Sequence, residues 1–88
     1  MFNIYYFYVL KSKLDNELYY GISGDLKKRV VDHNTGKVKS TKSRRPLSLV
    51  YYEAYISKTD ARKRELEIKN KGQQREFLKV RIKNSLKK

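Results

Sequence analysis

Cysteine and tryptophan are absent from this chain of 88 residues, which holds one proline, one methionine and one histidine. The lack of cysteine excludes disulfides, thiolate metal sites and cysteine nucleophiles. It fits a reducing compartment, so a cytoplasmic location is the expectation. No apolar run is long enough to cross a bilayer. The N-terminus starts directly on strand-like sequence and does not read as a signal peptide. Acids are scarce: 9 Asp and Glu stand against 22 Lys and Arg, a formal net charge of +13. Such an excess favours a polyanion partner, most often nucleic acid. An anionic membrane surface fits less well, because no helical stretch combines a broad apolar face with a basic one.

The length suits one small domain with a modest core. Tyrosine is the dominant large residue, 8 Tyr against 3 Phe. Each buried tyrosine needs a partner for its hydroxyl, so such a core also carries polar groups. Residues 3–11 form a near-continuous apolar and aromatic run, the pattern of a strand buried on both faces, with Tyr6 and Tyr8 on one face and Phe7 and Val9 on the other. A polar turn at 12–16 leads to a second strand at 17–21, making a hairpin. A helix over about 24–34 follows, with Ser23 or Asp25 as its cap and Gly36 just past its end. Residues 47–55 read as a third strand. Ser57-Lys58-Thr59-Asp60 reads as a capping box for a helix running to about Asn70. Gly72 breaks it, and a third helix is expected over 73–84, anchored by Phe77, Leu78 and Ile82. The lysine-rich end is expected to fray.

Three places carry candidate chemistry. Leu26, Val30 and His33 share one helix face, and Arg29 neighbours His33 at a spacing of four. A strand tyrosine facing an arginine and a histidine can hold a phosphate near a base. Between Gly36 and Pro46 lies a loop without a single acid, in which Lys37, Lys39, Thr41, Lys42, Arg44 and Arg45 can contact phosphates, joined by Lys28 on the preceding helix. On the second helix, Glu65 shares an arc with Ala61 and Ile68, whereas Glu67 points away among basic residues. A carboxylate interrupting an apolar stripe needs a partner, since burying it alone is costly. It is either a structural pair, with Arg29 or a tyrosine hydroxyl, or a ligand for a hard divalent cation.

Taken in order, these residues resemble the GIY-YIG nuclease family, in particular its small single-domain branch and the N-terminal domain of excision-repair nucleases. The first motif matches Tyr6-Phe7-Tyr8 and the second Tyr19-Tyr20-Gly21, with ten residues between Tyr8 and Tyr19. Arg29 lies at the family's helix arginine, and His33 where members carry His or Tyr. His33-Asn34-Thr35-Gly36-Lys37 and the run Arg44 to Tyr51 look like the small branch's own signature. Arg64-Glu65-Leu66-Glu67-Ile68-Lys69 looks like its helix signature, with Glu65 at the metal-binding glutamate.

The resemblance covers about residues 4–75. It implies an α+β fold, a small three-stranded antiparallel sheet flanked by about three helices, as one domain over 1–84 with a basic tail at 85–88. It also implies an endonuclease that hydrolyses phosphodiester bonds in DNA with one divalent ion, Mg²⁺ or Mn²⁺. On that pattern Tyr19 helps activate the attacking water and Tyr8 orients water or phosphate. Arg29 neutralises phosphoryl charge, His33 shares proton transfer or contacts phosphate, and Glu65 holds the metal. The chain departs from the pattern in having Tyr-Phe-Tyr for the first motif, Ile22 where some members have lysine, and Ser40 where the small branch often has tyrosine. No added DNA-binding domain is expected, which argues against sequence-specific cutting; the expected action is structure-selective or weakly specific, branched or damaged DNA is a candidate substrate, and a protein partner could supply targeting. Two other readings compete: a non-catalytic nucleic-acid-binding module that keeps the fold, and a basic structural protein of an RNA assembly.

Overall fold

The computed structural model describes residues 3–88. Strand β1 (Tyr5–Ser12) is the middle strand of an antiparallel sheet, flanked by β2 (Leu18–Ser23) and β3 (Leu47–Tyr55). The central place explains its unbroken apolar run. Phe7, Tyr8, Val9 and Leu10 are all buried, because both faces of the strand are covered. Helix α1 (Leu26–Asn34) lies on the face carrying Tyr8 and Leu10, where its Leu26 and Val30 join Tyr19 and Leu47. Helices α2 (Lys58–Asn70) and α3 (Gly72–Arg81) cover the other face, where Phe7 and Val9 meet Ile68, Leu78 and Ile82.

Pairing along β1 is regular toward β2 and interrupted toward β3. Val9 opposes Tyr51 and Leu10 opposes Leu49, so Val50 is an extra residue. This β-bulge turns both Val50 and Tyr51 onto the Phe7 face. Glu53 sits beyond it, accepting from the hydroxyls of Tyr51 and Tyr55 and from Arg64. Burial works to raise the Glu53 carboxyl, but bonds from Tyr55, Arg64 and Tyr51 outweigh it and hold it below its ordinary value.

The turns follow local chemistry. Of the two cap candidates for α1, Asp25 closes it, accepting from the Lys28 N–H at 3.1 Å, while Ser23 binds the Asp25 N–H. Gly36 ends it at φ 84°, with the Lys37 N–H returning to the Asp32 carbonyl at 3.0 Å. This left-handed exit is one that glycine takes at little cost. The basic loop is pinned at its far end: Asn34 grips both backbone groups of Leu47, at 2.7 and 2.9 Å, and buried Ser12 donates to the Arg44 carbonyl at 2.6 Å.

Three expectations are corrected. Ser57 precedes α2 but makes no side-chain cap bond, so the capping box does not form. Phe77 is 56% exposed, because the face of α3 that meets the sheet is centred on Leu78 and continues to Ile82. The C-terminal end does not fray. Leu86 packs against the Phe7 core and its carbonyl accepts from Lys11 at 2.6 Å.

Candidate nuclease site

The sheet brings Tyr8 and Tyr19 to the face under α1. Tyr19 lies opposite Leu10, two residues along β1 from Tyr8, so both phenols share one side. Directly opposite Tyr8 stands Gly21. A Cβ there would lie 2.5 Å from the Tyr8 hydroxyl oxygen and 2.6 Å from Cζ. The second motif's glycine therefore clears the space that the first motif's tyrosine fills.

Helix α1 supplies the partners. The Tyr8 hydroxyl lies 2.9 Å from His33 Nε2, and Arg29 Nε donates to the same oxygen at 3.4 Å. On the far side of the ring, His33 Nδ1 lies 2.7 Å from Thr41 Oγ1, which donates onward to the Val38 carbonyl at 3.5 Å. With its own proton directed at Val38, Thr41 accepts from Nδ1–H. Nε2 then carries the lone pair and accepts the Tyr8 O–H. Burial, and next the Arg29 charge, hold the His33 pKa below its ordinary value, which keeps the ring neutral. Tyr8 is raised, chiefly by burial, against the bond and charge of Arg29. Arg29 is held more firmly charged by its bond to Tyr8. The Tyr19 ring meets the His33 ring edge-on at 5.0 Å.

Glu65 enters from α2. It is 4% exposed and is the only carboxylate in the buried set among the described residues. Its link to the site runs through Lys69, whose ammonium bonds it and stands 6.0 Å from the Tyr19 ring centre. Neither partner considered for it in the sequence is the one it uses. Arg62 donates to Oε1 at 2.5 Å and Lys69 to Oε2 at 3.0 Å. Glu67 turns away, pairing with Arg64, so the helical separation of the two acids holds.

The five candidates Tyr8, Tyr19, Arg29, His33 and Glu65 thus gather from β1, β2, α1 and α2. The phosphate-contact set does not stay together. Lys28, Lys37, Lys39, Lys42 and Arg45 are exposed. Thr41 is fully buried with its hydroxyl committed to His33 and Val38, so it is removed from the contact surface. Arg44 is half-buried in a pair with Asp15 at 3.3 Å. Sequence reasoning missed Thr41 as a support for His33, and missed Arg62 and Lys69. The last two carried a signal, since they lie three before and four after Glu65 on one helix.

A hard divalent cation takes carboxylate oxygens and completes its shell with waters and substrate phosphates. Among the described residues no group of three or more His, Cys, Asp or Glu gathers. A cation that keeps most of its ligands as water and phosphate fits the lone carboxylate of Glu65.

The sheet order, the paired tyrosines and the helix-borne arginine and glutamate define a nuclease-family domain. The chain belongs to the GIY-YIG family: the model of the GIY-YIG catalytic domain matches residues 4–78. It is similar to a UPF0213 protein of Staphylococcus saprophyticus, 45% identical over 83% of this chain and 89% of that one. It is also similar to the UPF0213 protein YazA of Bacillus subtilis, 39% identical over 96% of this chain and 97% of the relative. Among solved structures, the solution NMR structure of the UPF0213 protein BH0048 from Bacillus halodurans aligns with a TM-score of 0.56 at 30% identity, covering 90% of this chain and 86% of that one.

Proposed function

We propose that this protein is a divalent-metal-dependent endonuclease that hydrolyses phosphodiester bonds in DNA. The observation that carries the reading is the phenol, imidazole and guanidinium array of Tyr8, His33 and Arg29, with the buried carboxylate of Glu65 tied through Lys69 to the neighbouring Tyr19. Water attacks phosphorus, one P–O ester bond breaks, and the water's proton must go to a base.

The hydrogen bonds and burial favour the division between the two tyrosines that the family pattern implies. Tyr8 is 1% exposed, and its O–H already points at a neutral imidazole. Burial raises the phenol and lowers the imidazole, so the proton stays on Tyr8, and the bonds to His33 and Arg29 fix the phenol and the guanidinium in place. Tyr19 is half-buried and has greater access, so its hydroxyl oxygen takes the water's proton while its own proton goes to solvent, and the leaving oxygen is protonated from solvent. Arg29 also neutralises charge growing on the phosphoryl oxygens. Glu65 would hold the metal, Mg²⁺ or Mn²⁺, which supplies Lewis acidity toward the phosphate. The exposed cations Lys28, Lys37, Lys39, Lys42 and Arg45 bind the backbone without reading sequence.

The test is nicking of supercoiled plasmid in Mg²⁺ or Mn²⁺ by wild type, Glu65→Ala and Glu67→Ala. Cleavage by the wild type and Glu67→Ala, but not by Glu65→Ala, is the expected result. Equal loss in both variants refutes the role of Glu65. Salt-sensitive binding with no turnover by any protein would instead establish a binding module.

A further inference from the structure

Strand β2 places no cation beside Tyr19. The residue after Gly21 is Ile22, whose side chain packs against the Phe7 and Val9 core on the opposite face of the sheet. The cation that reaches Tyr19 comes from α2. The Lys69 ammonium stands 6.0 Å from the Tyr19 ring centre while it donates to Glu65 Oε2. Arg62 holds the other oxygen of the same carboxylate.

Two cations on one carboxylate leave the cluster with an excess positive charge. One partner suffices to neutralise a buried acid, so the second is surplus to a structural ion pair. The surplus is not drawn off by another acid, since neither Arg62 nor Lys69 makes a further salt bridge among the described residues. Both side chains keep access to solvent, Lys69 at 41% and Arg62 at 57% exposed. Such a cluster is set to take an anion as soon as the carboxylate is given to another cation. A dication on Glu65 would repel both side chains, and the only anion the reaction brings to that point is the phosphate.

We infer that Lys69, together with Arg62, is a phosphate-binding residue of this site that holds Glu65 in the free protein and transfers to the scissile phosphate when a divalent cation takes the carboxylate. The inference rests on the reading of Glu65 as the cation ligand. It makes Lys69 the cation of the Tyr19 side, as Arg29 is of the Tyr8 side.

The test uses the whole chain and begins without substrate. Mn²⁺ binding is measured by electron paramagnetic resonance on wild type, Lys69→Met, Lys69→Arg, Arg62→Met and Glu65→Ala. Removing a positive charge next to the ligand tightens Mn²⁺ binding, by roughly threefold to tenfold for Lys69→Met. Lys69→Arg keeps the charge and restores the wild-type affinity. In Ca²⁺, the salt dependence of oligonucleotide binding by Lys69→Met becomes shallower by about one phosphate contact, a slope change of roughly 0.7–0.9. In Mg²⁺, its turnover falls at least about tenfold, and KM rises with the lost phosphate contact. Lys71→Met, which removes an exposed charge two residues on, leaves Mn²⁺ affinity and turnover at wild-type values.

Unchanged Mn²⁺ affinity in Lys69→Met, or wild-type turnover, overturns the proposal. Weaker Mn²⁺ binding that tracks a lowered melting temperature overturns it too, because the pair is then only structural. If Lys69→Met does not fold, Arg62→Met carries the same prediction from a more exposed position. Mn²⁺ binding by Glu65→Ala equal to wild type sinks the Glu65 reading itself, a result separate from failure of the Lys69 arm.

Discussion

Replacing Gly21 by alanine tests whether the second motif's glycine exists for the first motif's tyrosine. Gly21 is not among the positive-φ residues, so its backbone is open to alanine. On backbone grounds alone, Gly→Ala stabilises by about 0.4–1 kcal/mol through the unfolded chain. Against this stands the clash. The added Cβ would lie 2.5 Å from the Tyr8 oxygen and 2.6 Å from Cζ, about 1 Å inside the usual contact between non-bonded atoms. Tyr8 is wedged between His33, Arg29 and the core, so its ring has no free direction of retreat. Overpacking of this kind costs about 1–3 kcal/mol, which outweighs the entropic gain. At roughly 4–8 °C per kcal/mol for a domain of this size, the melting temperature falls measurably. The displaced hydroxyl also leaves His33, so cleavage falls more than stability does. Tyr8→Phe will not rescue the variant, because Cζ stays in place. Tyr8→Leu shortens the side chain and recovers part of the stability, a coupling of about 1 kcal/mol in a double-mutant cycle. A Gly21→Ala protein that melts at or above the wild-type temperature and cuts normally would refute the steric account.

Four further outcomes are expected. Thr41→Val keeps the shape but strands the His33 Nδ1–H in the interior, at a cost of about 1–3 kcal/mol in urea unfolding; an unchanged midpoint would count against the Thr41–His33 bond. His33 is depressed in the folded protein by burial and by Arg29. Its contribution to stability is therefore complete above the unfolded value near 6.5 and is lost as pH falls through the lower folded value; His33→Gln flattens this acid limb in a pH series of unfolding, and an unaltered limb refutes the assignment. Ile68→Ala, fully buried between the sheet and α3, destabilises by about 2–5 kcal/mol, whereas Phe77→Ala, on the exposed face, stays within about 0.5 kcal/mol. Charge removal at Lys39 and Lys42 weakens oligonucleotide binding similarly on unrelated sequences and reduces its salt slope; a strong sequence preference lost on substitution would contradict backbone-only contact.

Much of the architecture was legible because it is written in local periodicity. The near-continuous apolar and aromatic run of residues 3–11 reads as a strand buried on both faces, and β1 is one. Helical angle alone separated Glu65 from Glu67, and burial agrees. Gly36 closes α1 as a left-handed exit must. Failures fell where a local signal has no knowledge of neighbours. Phe77 is as apolar as Leu78, and only the direction in which α3 lies on the sheet decides which is covered. Leu86 sits in a lysine-rich end that looks soluble, and it docks because the sheet leaves a place for it.

The sequence by itself determined the charge, the strands and helices, the order of the motifs and which helix glutamate faces inward. These depend on residues within a turn or a pleat of one another. Only the tertiary structure decided that the Tyr8 hydroxyl meets His33 across 25 positions, that Thr41 stands behind that histidine instead of on the exposed face of the basic loop, and that Arg62 and Lys69 hold Glu65 in place of Arg29. A polar side chain takes whichever partner the packing brings within about 3 Å. Several groups of the same chemistry compete for each such place, and only the packed fold selects among them.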